Sequence, residues 1–138
     1  MSKNKFKKNV LTVEFPINPP LPLTLHKFKK GGFAQVLSKY PNCVKEIVNS
    51  DGILGIVAGE EIDLPTNANE FSLEINFRTP TVKITVDYFL NELSQKHGAR
   101  IFSVVPGTTY IITTDLSWNE VTKLFQQSMS VFGLWPFN

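Results

Sequence analysis

Between Phe71 and Gly98 the hydrophobic period of the chain changes from two to 3.6, and neither an all-helical nor an all-strand fold accommodates both. Phe71, Leu73, Ile75 and Phe77 alternate with Ser72, Glu74 and Asn76, the pattern of a strand with one face buried. Thr79-Pro80 then supplies an N-cap and a proline at the first helical position. Val82, Val86, Phe89, Leu90 and Leu93 make one helical stripe, which stops at Lys96-His97-Gly98, a basic last turn followed by glycine. A strand running this directly into a helix requires both to share one core.

The flanking sequence extends the pattern. Residues 99–105 and 108–114 surround Pro106-Gly107 and predict a β-hairpin. Ser117-Trp118-Asn119-Glu120 is a capping box before the apolar stripe Val121, Leu124, Phe125 and Met129. Upstream, residues 10–15 alternate as a strand. Pro16, Pro19, Pro20 and Pro22 make residues 16–22 an extended proline-rich connection. Residues 23–30 read as a short edge strand that Gly31-Gly32 ends. Phe33, Val36, Leu37 and Tyr40, then Val44, Ile47 and Val48, fall at helical spacings. They predict two short helices, or one kinked at Tyr40-Pro41, closed by a turn at residues 49–52. Residues 53–58 read as a buried strand and 60–69 as a polar loop.

The resulting order of strands and helices predicts a single α+β domain over residues 1–138, with a basic N-terminal segment at residues 1–9. Its expected form is a largely antiparallel sheet with helices on one face. The first six elements fit a ferredoxin-like βαββαβ core, to which a further strand and a C-terminal helix are added. A competing parse treats residues 53–97 and 99–131 as two ββα units. Topology of this kind carries no function by itself.

Composition narrows the class. A chain of 138 residues with 42% hydrophobic and 19% charged content is an ordinary globular protein with one sizeable core. One cysteine, Cys43, rules out an intramolecular disulfide. The basic N-terminus has no apolar stretch behind it, and the longest nearly uncharged run, residues 101–114, is broken by Pro106-Gly107. Neither a secretory signal nor a membrane span is expected, and the cytoplasm is the expected location.

No enzyme motif is present: there is no G-x-S-x-G, no phosphate loop and no H-E-x-x-H, which weighs against an enzyme. His26, His97 and Cys43 share no ligand spacing, and the acidic run Glu60, Glu61, Asp63 lacks that of a calcium loop. No metal and no cofactor are expected. His97 reads as a favourable charge at a helix C-terminus, and Cys43 as a small buried hydrophobe.

The net charge of +2 conceals an asymmetry. Residues 1–45 hold nine lysines and one acid, Glu14, a net of +8; residues 46–138 hold five basic and eleven acidic residues, a net of −6. The tetrapeptide K-F-K-K occurs twice, at residues 5–8 and 27–30. Lysines interleaved with aromatic rings supply charge for phosphates and a surface for base stacking. Lys5, Lys7, Lys8, Lys27, Lys29 and Lys30 are therefore the candidate contacts to a polyanion, above all nucleic acid. With no arginine before Arg78, such binding would be sequence-independent and salt-sensitive. The simpler reading puts Phe6 and Phe28 inward and leaves the lysines as a solvated face. Gly31-Gly32 likewise reads either as an anion site at a helix start or as the turn a strand-to-helix junction needs. A second functional expectation is protein interaction or self-assembly, through the complementary charged regions and the aromatic tail, with Leu134, Trp135 and Phe137 as partner contacts.

Overall fold

The computed structural model describes residues 10–13, 23–29, 31–39, 44–50, 53–57, 67–76, 79–105 and 107–134. They form seven strands and three helices: β1 (Val10–Val13), β2 (Leu23–Phe28), α1 (Gly32–Lys39), β3 (Lys45–Ser50), β4 (Ile53–Val57), β5 (Asn69–Ile75), α2 (Pro80–His97), β6 (Arg100–Val105), β7 (Thr109–Thr114) and α3 (Trp118–Val131). The strands make one sheet in the order β1-β2-β5-β7-β6-β3-β4, and every neighbouring pair is antiparallel. The α+β class and the antiparallel sheet are as predicted. The strand order is not the classic ferredoxin-like one, and that topology is not confirmed.

The expectation of helices on one face is corrected. Ile101 pairs with Ile112 across β6 and β7, and Phe102 pairs with Ile111. Successive side chains point to opposite faces, so both faces of these strands are apolar and both need cover. On one face Ile101 and Ile112 join Leu23, Leu25, Phe71 and Leu73, packed against Val86, Phe89 and Leu90 of α2 and Val121, Phe125 and Met129 of α3. On the other, Phe102 and Ile111 meet Phe33, Val36 and Leu37 of α1. The ring centroids of Phe33 and Phe102 lie 4.7 Å apart.

Two further expectations fail. Residues 23–28 form no edge strand; β2 lies between β1 and β5. In place of the helical stripe through Val44, Ile47 and Val48 the chain forms β3, with Val44, just before the strand, in the α1-side cluster and Ile47 in the cluster on the other face. β-branched residues favour a strand. Ser50 pairs with Ile53, so only Asp51-Gly52 separates the strands, a dipeptide with the strongest short hairpin signal.

The local signals at α2 and α3 hold. Thr79 Oγ1 accepts the Val82 amide at 3.1 Å. At the other end Gly98 takes φ 65° while the Ala99 amide returns to the Leu93 carbonyl at 3.0 Å. Ser117 and Glu120 complete the capping box: Glu120 N–H donates to Ser117 Oγ at 3.2 Å, and Ser117 N–H donates to Glu120 Oε1 at 2.9 Å. Hydrogen bonding to the Glu120 carboxyl from the Ser117 amide foremost, and then from the Ser117 side chain, holds it below the usual glutamate range.

Candidate functional site

The second lysine-rich tetrapeptide lies at the end of β2, where alternation separates its members. Leu23 and Leu25 are buried against α2 and α3, so Lys27 lies on that same face, half-buried, with its Cα opposite Leu11 and Phe71. Phe28 points the other way and packs, half-buried, against the α1 cluster. A ring engaged in this packing is not a free stacking platform, and the base-stacking reading of Phe28 is dropped. Lys29 is exposed just past the strand. Lys5, Lys7, Lys8 and Lys30 lie outside the described residues, as do Phe6 and Cys43.

The glycine pair is explained by the turn. Gly31 has φ +88°, in the left-handed region that favours glycine. A Cβ on Gly32 would come within 2.9 Å of Phe28 Cβ and Cγ, so the side chain is excluded by the strand it has just left. The Gly32 amide donates to the Lys29 carbonyl at 2.9 Å, and that of Gln35 to the Gly31 carbonyl at 3.2 Å.

An anion does sit at the start of α1, and it belongs to the protein. The Phe33 amide donates to Glu70 Oε1 at 2.9 Å, and Glu70 is only 8% exposed. A helix N-terminus presents unpaired N–H groups and a partial positive charge; the β5 carboxylate satisfies both. Gly31-Gly32 is thus no vacant phosphate cradle.

Around this contact the α1 side of the sheet is polar. His26 pairs with Ser72 in the ladder, and its Nε2 lies 4.0 Å from Glu74 Oε1. Asn76 Nδ2 donates to Thr24 Oγ1 at 3.0 Å. Farther across, Arg100 donates through Nε and Nη2 to the two Glu46 carboxylate oxygens, each at 2.9 Å, and its Cζ stands 5.3 Å from the centroid of Phe102. Such a fork is the geometry in which arginine pairs best with carboxylate. Thr113 Oγ1, opposite Glu70 or Arg100 in the two ladders, is buried without a hydrogen-bond partner. Among the described residues no group of three His, Cys, Asp or Glu side chains could hold a metal.

Of the expected tail contacts, Leu134 is half-buried against the α2–α3 core, while Trp135 and Phe137 lie outside the described residues. Among the described residues no helix is long and apolar enough to cross a membrane. The acidic run at Glu60, Glu61 and Asp63 is also outside them. His97 ends α2, exposed, as its reading as a charge at the helix end requires.

Comparison with protein-family models, curated proteins and solved structures gave no match to this chain. Sequence reading passed over Glu70, Arg100 and Glu46. A polar residue at every second position of β5, Glu70, Ser72 and Glu74, was the available signal for a polar face. That Glu70 is buried depends on Phe33, 37 residues earlier, and no local pattern carries that.

Proposed function

We propose that the protein is a non-catalytic module whose lysine-rich first third binds a polyanion, with single-stranded nucleic acid as the class of partner. One observation carries the reading: Val10 pairs with Phe28 at the end of the β1–β2 ladder, and β1 is the outer strand of the sheet. The first K-F-K-K ends two residues before Val10 and the second spans Phe28. The start of β1, two residues after the first tetrapeptide, is therefore a neighbour of the end of β2, within the second, although 22 residues separate their first lysines in sequence. In this reading the six lysines act together as charge of a single sign, which attracts phosphates at long range. Because Phe28 is committed to packing, affinity rests on charge and discriminates little among sequences.

The test replaces Lys5, Lys7, Lys8, Lys27, Lys29 and Lys30 with glutamine and follows fluorescence anisotropy of a labelled oligo-dT. The parent protein binds at low salt, and the variant, with an unchanged circular dichroism spectrum, does not. Equal binding by the two proteins refutes the assignment.

A further inference from the structure

Burial on α2 is one-sided. Val82, Val86, Phe89, Leu90 and Leu93 are buried, and the 3.6-residue repeat sets Ile84 on the opposite side of the helix. Ile84 is 50% exposed and Tyr88 38%; one turn apart, they stand together. Phe132, half-buried, meets the Tyr88 ring edge-on, with centroids 5.5 Å apart, and widens the apolar surface. Exposed apolar side chains gathered in one place mark an interaction surface.

Two charges border it. Lys83 and Asp87 are both about half exposed, and Lys83 Nζ lies 3.0 Å from Asp87 Oδ2. Each precedes one of the two apolar residues by one position, so the charges run along one flank of Ile84 and Tyr88.

We propose that this surface docks on a second copy of itself, α2 against α2, antiparallel about a two-fold axis between Ile84 and Tyr88. A two-fold axis perpendicular to both helices keeps each flank on its own side and reverses its direction, giving a self-complementary contact. The Ile84 turn of one copy then meets the Tyr88 turn of the other. By the same operation Lys83 comes opposite the second copy's Asp87, and Asp87 opposite its Lys83.

The charge pattern selects this occupant. One positive and one negative side chain in a row are their own complement when the row is reversed. An unrelated partner has to supply that complement; a second copy already holds it. Charges flanking an apolar seam set orientation in paired helices in the same way. The apolar centre is small beside the roughly 800 Å² per partner of a standard interface, and an exposed ion pair contributes little. The dimer is therefore weak and dissociates on dilution. It uses none of the six lysines assigned to the polyanion, so the two readings stand or fall separately.

Sedimentation equilibrium of the intact chain, from about 10 μM to about 1 mM where weak dimers form, tests the proposal. The average mass of the unmodified protein is expected to rise from 15.6 kDa toward twice that value. Ile84→Asp, at an exposed position away from the core, is expected to hold it at the monomer mass. Lys83→Asp alone and Asp87→Lys alone each set like charges face to face and weaken association by about tenfold or more. An equal mixture of these two variants restores it, because each chain then offers the charges that the other lacks. All variants are compared at unchanged circular dichroism spectra. A monomer at every concentration overturns the proposal. Undiminished association of Ile84→Asp does so as well, because the contact then runs through another surface. A mixture no more associated than its components rules out the antiparallel arrangement.

Discussion

The two faces of the sheet are built to different rules. Among the described residues, the face under α2 and α3 buries seventeen apolar side chains in one cluster, from Leu23 to Met129. The face under α1 buries five, and around them lie Glu70, Ser72, Thr113 and the Arg100–Glu46 pair. Burial of apolar area is the dominant favourable term in folding, so the first face accounts for most of the stability. The second holds an eight-residue helix, short of the length at which a helix stands alone. It is kept in place by Phe33 and by one buried carboxylate.

The largest predicted effects lie on the first face. Phe89→Ala or Phe125→Ala removes a fully buried ring and leaves a cavity, costing about 3–5 kcal/mol in urea denaturation. Val36→Ala, at a half-buried position under α1, costs about 1 kcal/mol. Similar losses from both faces would break the comparison.

Next in size is Glu70→Ala. It leaves the Phe33 amide without its acceptor, a loss of about 1–3 kcal/mol, and the damage is local. Hydrogen exchange of the α1 amides should quicken while that of α2 and α3 holds; uniform acceleration would show α1 to be part of the main cooperative unit. Thr113→Val goes the other way. It replaces a buried hydroxyl lacking a partner with a methyl of similar shape, and a gain of about 1 kcal/mol is expected, read as a raised melting temperature.

The smallest effect is one of pH. The Glu120 carboxyl is held low by the Ser117 amide and hydroxyl, so its folded pKa lies below its unfolded one. Its contribution is present above the ordinary glutamate value of about 4.3 and is lost as pH falls through the lowered folded value. Glu120→Gln should flatten that part of the stability profile; an unchanged profile would show that the box contributes nothing through charge.

How much of this the sequence discloses follows from the range of each signal. The strand at residues 71–75, the caps at Thr79 and Ser117 and the Pro106-Gly107 hairpin rest on neighbours a few residues apart, and all are legible. Residues 44–48 mislead because i, i+3, i+4 spacing also arises when extended chain is apolar on both sides, as it is at Val44, just before β3, and at Ile47 within it. Helix placement on two faces was written in the consecutive pairs Ile101-Phe102 and Ile111-Ile112, which alternation alone does not explain. At the candidate site, Lys27 and Lys29 were visible as charge. The antiparallel register that joins Val10, two residues after the first tetrapeptide, to Phe28 within the second is a long-range fact.

The polyanion reading is tested most directly by the salt dependence of oligo-dT binding to the unmodified protein. Six lysine–phosphate contacts predict that the logarithm of the affinity falls with the logarithm of salt concentration at a slope of about −4. A slope near zero, or no binding at the lowest salt, would contradict it.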